Sequence, residues 1–308
     1  MQAAGMSAAT AALYQPFTTY ATHTAHRPFR RRVPQANPLD YRKYPCIMRR
    51  DMSFDFSNRV VLVTGGGKGI GRGITAAFLR AGAKVVICGR TPPETPVGAA
   101  GATAEFVALD VRDNDAVKAF FDDIAARYGR LDVLINNAGG SPNADAATAS
   151  PRFHESIIRL NLLAPLYMAQ LANAIMQKQA EGGVIEFIGS VSGLRPSPGT
   201  AAYGAAKAGV LNLVSSLAVE WAPKVRVVTV SPGLIRTEKS GMHYGDEAGL
   251  ASVAATIPLG RMGEGEDIAN ACMFMASPYA AYVSGTNLLI HGGGEKPAFL
   301  DAASVNKD

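Results

Sequence analysis

From Arg59 onward, short apolar runs rich in β-branched residues alternate along the chain with longer amphipathic segments. The short runs are almost continuously apolar, which is typical of strands that are buried on both faces of a parallel sheet. Longer segments with helical periodicity fill the gaps between them. This repeated pattern predicts an α/β fold in which a single doubly wound, seven-stranded parallel sheet is covered by helices on both faces.

The predicted strands are Val60–Val63, Lys84–Cys88, Glu105–Leu109, Val133–Ile135, Val184–Ile188, Val225–Val230 and Leu288–Ile290. The predicted helices are Ile70–Leu79, Asp113–Tyr128, Phe153–Gln179, Ala202–Trp221 and Glu266–Ala276. We detect no internal repeat or linker, so residues 52–308 are predicted to form one domain.

Residues 1–50 differ from the rest of the chain, since they are rich in Ala, Thr and Pro and carry a single acid, Asp40. We expect residues 1–51 to form a disordered extension. An Arg-rich leader is compatible with an organelle transit peptide, and equally with upstream sequence read from a misassigned start codon, since Met52 directly precedes the domain. The loose match to a targeting pattern favours the interpretation without targeting.

The net charge of +5 comes from this N-terminal segment, because residues 51–308 hold 22 basic and 24 acidic side chains. The domain therefore has no basic field for nucleic acid. The sparse cysteines Cys46, Cys88 and Cys272 form neither a zinc pattern nor a disulfide framework, which indicates a reducing, cytoplasmic location. We find no run of about 18 apolar residues and expect no membrane segment.

A glycine-rich turn, TGGGKGIG at 64–71, follows the first strand and opens the first helix. In this context glycines let the backbone approach a diphosphate, and the helix N-terminus faces its charge. The turn therefore predicts a Rossmann-type dinucleotide site, although a tight strand-to-helix connection is the alternative. The residues assigned to the cofactor here are Thr64, Gly65, Gly67, Lys68, Gly69, Ile70 and Gly71.

The end of the second strand carries Gly89-Arg90 where a ribose-binding acid is expected. Without that carboxylate, Arg90 and Lys68 offer two cations suited to a 2′-phosphate. We therefore expect NADP(H) to be favoured over NAD(H), while solvated surface charges are the alternative.

Four motifs occur in order: TGGGKGIG at 64–71, NNAG at 136–139, Ser190 followed by YGAAK at 203–207, and SPG at 231–233. With them, residues 54–295 resemble the short-chain dehydrogenase/reductase family, in particular its 3-oxoacyl-thioester reductase and carbonyl reductase branches. The YxxxK spacing also places Tyr203 and Lys207 on one helix face. A phenol titrates near pH ~10, so we expect Lys207 and the nicotinamide charge to lower the Tyr203 pKa.

The resemblance implies that Tyr203 is the general acid/base, that Ser190 hydrogen-bonds the substrate oxygen, and that Lys207 also holds the nicotinamide ribose. It also implies that Asn161 holds a water molecule in a proton relay to Lys207. A buried Asn could equally donate a hydrogen bond to a backbone carbonyl. The further contacts that the resemblance implies are Asp110 and Val111 at the adenine, Asn137, Ala138 and Gly139 at the adenosine ribose, and Pro232, Gly233, Ile235 and Thr237 at the nicotinamide.

The spacing of serine and histidine residues argues against a serine hydrolase and against a metal site. A GxSxG nucleophile elbow would need serine at Val191, and the five histidines are scattered without a metal-ligand pattern, so we expect no metal. The segment between Arg90 and Asp110 departs from the family because it is too rich in Pro and Gly for a full helix. His291 stands where relatives have aspartate, and the sequence explains no role for it.

The sequence thus predicts an oxidoreductase that transfers a hydride between NADP(H) and a ketone or secondary alcohol. A dinucleotide-binding regulatory or scaffold protein is the alternative. Residues Glu238–Gly260 are predicted to form a mobile lid, in which Met242, His243 and Tyr244 are candidate substrate contacts. The family resemblance also implies a homodimer or homotetramer that pairs through the helices at 153–179 and 202–221.

Overall fold

The computed structural model describes residues 54–238 and 240–302, without the side chains at 242, 243, 300 and 301. The extension predicted over residues 1–51 therefore lies outside the described residues. The same holds for the side chains of Met242 and His243.

Seven strands form one parallel sheet, as predicted, in the order β3-β2-β1-β4-β5-β6-β7. The strand order reverses between β1 and β4, and doubly wound sheets bind ligands at the carboxyl ends of the strands at such a point. The strands are β1 Val60–Thr64, β2 Lys84–Gly89, β3 Glu105–Ala108, β4 Val133–Asn136, β5 Gly183–Ile188, β6 Val225–Pro232 and β7 Asn287–Ile290.

Helices cover both faces of the sheet. The helices are α1 Gly69–Arg80, α2 Asn114–Tyr128, α3 Pro151–Ile158, α4 Ala164–Met176, α5 Ala201–Glu220, α6 Gly241–Tyr244, α7 Glu247–Thr256, α8 Gly265–Ala276 and α9 Ala298–Ala302. Apolar side chains of α1 and α8 form the core on one face, and those of α2, α4 and α5 form the core on the other. The five inner strands are largely buried on both faces, which explains their near-continuous apolar runs, whereas the edge strands β3 and β7 are partly exposed.

The single helix predicted over Phe153–Gln179 is two helices, α3 and α4, joined by a π-helical turn at Arg159–Leu163. Ser150 caps α3 by accepting a hydrogen bond from the Phe153 N–H, and Pro151 occupies its first turn. A π turn keeps helical backbone angles and apolar spacing, so periodicity does not reveal it. Such turns often occur at functional sites, and this one contains Asn161.

Two irregular segments border the sheet. Between β2 and β3 the chain forms a small hairpin of Gly98–Ala99 with Ala102–Thr103 and no helix, as its composition predicts. The predicted lid, in contrast, is largely helical, because it contains α6 and α7. Asp246 caps α7 by accepting a hydrogen bond from the Gly249 N–H. The mobility of this lid remains a prediction.

Among the described residues one helix, α5, is long and apolar enough by length and composition to cross a membrane. Its mean hydropathy is 1.2 over 18 residues, but Lys207, Asn212, Ser215 and Ser216 interrupt the segment, so it is not the apolar run that the sequence was expected to lack. Alanine, glycine and valine raise the average without forming an unbroken apolar run. One side of α5 belongs to the core, because the helix packs on β6 and its Lys207 is buried.

Candidate functional site

The glycine-rich turn between β1 and α1 is built on contacts too close for side chains. A Cβ atom at Gly71 would lie 2.3 Å from the carbonyl oxygen of Gly65. Gly65 adopts φ +65°, a conformation that favours glycine, and its N–H donates to the carbonyl of Cys88 at 2.7 Å. The turn therefore holds its backbone N–H groups close to the open crevice.

A groove of about 780 Å³ runs from this turn to the carboxyl ends of β5 and β6. It collects residues from four separate motifs, as a site at the reversal of strand order should. The predicted site residues that line it are Gly65, Gly67, Lys68, Gly69, Ile70, Gly71, Asn137, Ala138, Gly139, Ser190, Tyr203, Lys207, Pro232, Gly233, Ile235 and Thr237.

Thr64 lies beneath the groove rather than in its wall. Its hydroxyl oxygen accepts hydrogen bonds from the N–H groups of Asn137 and Ala138 at 2.9 and 2.8 Å. The Asn137 amide donates in return to the carbonyls of Thr64 and Gly65 at 2.8 and 3.2 Å. These hydrogen bonds join the glycine-rich turn to the NNAG segment. In this structure Thr64 positions those two segments, and its direct contact with the cofactor stays a prediction.

Three other predicted contacts lie outside the groove lining. Asp110 accepts hydrogen bonds from the Arg112 guanidinium, with the shortest N···O distance at 2.6 Å. This pairing lowers the pKa of Asp110 to about 2. Val111 is buried in the core, and Arg90 is exposed at the end of β2. The adenine assignment of Asp110 and Val111 thus has no support in the geometry of this groove.

Three unpredicted residues also line the groove: Arg72 of α1, and Glu94 and Thr95 of the loop after β2. The Arg72 guanidinium donates to the carbonyl and hydroxyl oxygens of Thr95 at 3.0 and 3.1 Å. Glu94 supplies a carboxylate to the groove, whereas the end of β2, where a ribose-binding acid was expected, carries Gly89-Arg90. No sequence signal reveals this, because the loop is irregular and its position depends on a contact with α1.

Further unpredicted lining residues are Gly140, Ile188, Gly189 and Glu238. Tyr244 of α6 also lines the groove, and its contact with substrate stays a prediction. His291 is not among the residues that line the groove. It packs against Gly233, where an added Cβ atom would lie 2.6 Å from the Cβ of His291. That packing gives His291 a structural role beside the Pro232-Gly233 wall.

Ser190, Tyr203 and Lys207 meet at the end of β5. Ser190 and Tyr203 share a side-chain hydrogen bond. The Lys207 ammonium donates to the carbonyl of Ile188, the last residue of β5, at 2.6 Å, and lies 5.6 Å from the centroid of the Tyr203 ring. The YxxxK spacing on α5 thus places both side chains against the strand that carries the serine.

Burial is the largest influence on the pKa values of Tyr203 and Lys207. It raises the pKa of Tyr203, and the hydrogen bond from Ser190 offsets only part of that effect. Burial also lowers the pKa of Lys207 to about 8. The expected lowering of the Tyr203 pKa is therefore absent in the protein alone, because burial of the phenol raises its pKa by more than the hydrogen bond from Ser190 lowers it.

Asn161 is buried in the π turn, and its amide is engaged with the backbone. Its Nδ2 donates to the carbonyls of Ile157 and Gly140 at 2.9 and 3.0 Å, and its Oδ1 accepts from the Gly140 N–H at 2.8 Å. A Cβ at Gly139 would lie 2.7 Å from Asn161 Oδ1 and 3.7 Å from Lys207 Nζ. Asn161 therefore fixes the Gly139-Gly140 wall beside Lys207, while its water-holding role remains a prediction.

The residues of the groove fit a nicotinamide dinucleotide. Glycines leave room for a ligand along the turn, and the N–H of Gly69 already holds an anion, the Glu238 carboxylate. A serine, a tyrosine and a lysine converge at the other end. Residues 54–238 and 240–302 contain no group of three His, Cys, Asp or Glu side chains placed to hold a metal ion.

Known proteins agree with this architecture. The family model described as enoyl-(acyl carrier protein) reductase matches residues 65–295. The 3-oxoacyl-[acyl-carrier-protein] reductase of Escherichia coli is 34% identical over 244 residues, which cover 78% of this chain and 98% of the relative. The Thermotoga maritima enzyme of the same name is 33% identical over 243 residues, or 76% of this chain and 97% of the relative.

Among solved structures, the aldohexose dehydrogenase of Thermoplasma acidophilum superposes with a TM-score of 0.72 at 29% identity, covering 82% of this chain and 97% of that one. A Burkholderia xenovorans chain described as a short-chain dehydrogenase/reductase gives 0.70 at 33% identity, covering 77% and 96%. The chain belongs to the short-chain dehydrogenase/reductase family of oxidoreductases, which act on carbonyl and alcohol groups with a nicotinamide dinucleotide.

Proposed function

We propose that this protein is an NADP(H)-dependent enzyme that interconverts a ketone and a secondary alcohol. The observation that carries the proposal is the convergence of Ser190, Tyr203 and Lys207 at one end of the groove formed by the glycine-rich turn. The bound dinucleotide would supply or accept the hydride. The protein's own residues would handle the proton and hold the reacting oxygen.

In this proposal the Ser190 hydroxyl holds the substrate carbonyl oxygen next to the Tyr203 phenol, which donates the proton during reduction. The Tyr203 phenol is protonated at neutral pH, and because burial raises its pKa it would depend on a neighbouring positive charge to release the proton. Lys207, fixed by its hydrogen bond to Ile188, would stabilise the phenolate left behind and bind ribose hydroxyls. Asn161 would hold the adjoining wall in place.

The NADP(H) preference is supported by Lys68 in the groove wall and by the exposed Arg90 directly after β2, since both cations suit a 2′-phosphate. Glu94 opposes it, because a carboxylate repels a 2′-phosphate and can accept a hydrogen bond from a ribose hydroxyl. With two cations against one acid, we expect a net preference for the phosphorylated cofactor.

The reaction at an oxygen atom is favoured over reduction of a carbon–carbon double bond. A paired serine and tyrosine place a proton donor at one substrate oxygen, where a ketone takes up its proton, whereas reduction of a C=C bond delivers the proton to carbon. The names of the matching reductases make 3-oxoacyl thioesters the first substrates to test. The matching family model makes 2-enoyl thioesters the comparison.

We further propose that the chain works in the cytoplasm as a homodimer or homotetramer. Cys88 and Cys272 are free and buried, which fits a reducing compartment. The α5 helix exposes part of an apolar surface, which is compatible with self-association.

The test is a turnover assay at 340 nm with 3-oxoacyl and 2-enoyl thioesters and small ketones, using NADPH and NADH. We expect ketone reduction, and tenfold tighter binding of NADPH than of NADH. Tyr203→Phe should lower kcat about 10²- to 10⁴-fold, because the proton donor is lost. Its NADPH affinity should stay close to that of the wild type.

Tyr167→Phe on α4 is the matched control and should retain wild-type turnover. Tighter binding of NADH would contradict the Lys68 and Arg90 argument. Cofactor binding without turnover of any substrate would instead favour the regulatory or scaffold alternative.

A further inference from the structure

The N-terminus of α1 is held by an anion from a distant part of the chain. The Gly69 N–H donates to both carboxylate oxygens of Glu238, at 3.2 and 3.1 Å. The helix has no cap of its own, because Lys68 at the N-cap position makes no side-chain cap hydrogen bond and the first turn contains no acid. Glu238 therefore supplies the negative charge that the positive end of α1 favours.

The place that Glu238 occupies is part of the dinucleotide groove. Glu238 lines that groove together with the glycine-rich turn, and a Cβ at Gly69 would lie 3.4 Å from the methyl group of Thr237. Within the described residues, no lysine or arginine forms an ion pair with Glu238. The diphosphate of a dinucleotide needs the same N–H donors at the same helix end.

We propose that Glu238 is an internal competitor of the cofactor diphosphate, which occupies the N-terminus of α1 until a dinucleotide displaces it. This inference rests on the proposed function, because it takes the groove to be a dinucleotide site. A diphosphate carries more charge than a single carboxylate and can accept more hydrogen bonds. A bound dinucleotide therefore displaces the Glu238 carboxylate from the Gly69 N–H. The competition weakens cofactor affinity in a measurable way.

Displacement of Glu238 also acts on the lid. The Ser240 hydroxyl oxygen accepts a hydrogen bond from the Thr237 N–H at 2.8 Å, and the Ser240 N–H donates to the Thr237 carbonyl at 3.0 Å. Helix α6 begins at the next residue, Gly241, and its Tyr244 lines the groove. Cofactor occupancy at α1 is thereby linked to the position of the wall that faces the substrate.

The test compares wild type, Glu238→Gln and Glu238→Ala in titrations with NADPH and with inorganic pyrophosphate. The pyrophosphate titration is followed through the ¹⁵N–¹H signal of Gly69. Loss of the competing charge should tighten the binding of both probes at least threefold, with alanine equal to or stronger than glutamine. Adenosine 2′-monophosphate lacks a diphosphate and should bind all three proteins equally.

Glu247→Gln is the matched control, because Glu247 is an exposed lid carboxylate that pairs with Arg236 and does not contact α1. It should leave all affinities at wild-type values. Equal or weaker pyrophosphate binding by both Glu238 variants, in proteins whose melting temperatures match the wild type, would overturn the inference. Failure of NADPH to bind any variant would refute the proposed function instead, and the pyrophosphate result would still decide the role of Glu238.

Discussion

Glu186 is a carboxylic acid at the centre of an apolar sheet. It lies on β5 between Ile135 of β4 and Val228 of β6, and its side chain is fully buried. Neither carboxylate oxygen has an oxygen or nitrogen hydrogen-bond partner. Burial raises the pKa of Glu186 to about 8, partly offset by the Cys272 thiol and the charge of Arg226. The folded protein therefore holds a neutral acid where the unfolded chain holds a carboxylate.

This difference makes stability depend on pH. Between the ordinary glutamate pKa of 4.5 and the raised value of about 8, the folded state keeps a proton that the unfolded state releases. Stability should therefore fall as pH rises through this window, by roughly 3–5 kcal/mol at most. Glu186→Gln, which cannot titrate, should lose that part of the pH dependence.

The measurement is urea unfolding of wild type and Glu186→Gln at pH 5 and pH 8. The matched control is Glu155→Gln, an exposed substitution on α3, which should keep the wild-type difference between the two pH values. Identical pH dependence in all three proteins would show that Glu186 is not the group responsible.

At the scale of elements, the loop after β2 owes its position to one side chain of α1. Arg72 donates to the Thr95 carbonyl and hydroxyl at 3.0 and 3.1 Å, and to the Pro96 carbonyl at 3.4 Å. The hairpin that replaces a helix here has only two paired residues in each strand. Such a short hairpin has little stability of its own, so the contact with α1 decides where Glu94 and Thr95 lie.

Arg72→Ala should therefore loosen this loop and weaken NADPH binding about fivefold, or about 1 kcal/mol for exposed, charge-assisted hydrogen bonds. Isothermal titration calorimetry measures the change. Arg80→Ala is the matched control, since Arg80 lies on the same helix and forms an exposed ion pair with Glu266. An equal loss in both variants would mean that helix charge, and not the loop contact, controls affinity.

At the scale of the whole molecule, α5 has an unburied side that needs explanation. Only 33% of its most apolar 18-residue window is buried, although its mean hydropathy is 1.2. The exposed positions of α5 are Ala201, Ala205, Ala208, Asn212, Ser215, Ser216, Val219 and Glu220. Small side chains of this kind allow close packing against a second copy, which supports the proposed oligomer.

Ala208→Arg should therefore shift the protein to a monomer, because a charged side chain would be buried against a second copy. Sedimentation velocity measures the mass. Ala126→Arg on α2 is the matched control, since it introduces the same charge on another exposed helix surface and should leave the assembly intact. A wild type that sediments as a monomer would contradict the proposed assembly, and an oligomer unaffected by Ala208→Arg would place the interface elsewhere.

Local patterns were sufficient for the framework of this fold. The strands and main helices were predicted because apolar runs and helical periodicity reflect burial directly. The ends of strands were less accurate, and β6 extends to Pro232, two residues beyond its prediction. The Tyr203 and Lys207 pair was found because a spacing of four residues on one helix already determines proximity.

The sequence by itself determined the parallel sheet, the glycine-rich turn and the order of the family motifs, since each depends on residues that are neighbours along the chain. Only the tertiary structure decided which charged side chains line the groove. Glu94 and Glu238 line it, whereas Asp110 lies outside the lining and forms an ion pair with Arg112. The tertiary structure also decided that burial, rather than the nearby lysine, governs the Tyr203 pKa. The physical reason is that electrostatics and desolvation depend on distances between elements, and the gap between Gly69 and Glu238 closes across 169 residues of chain.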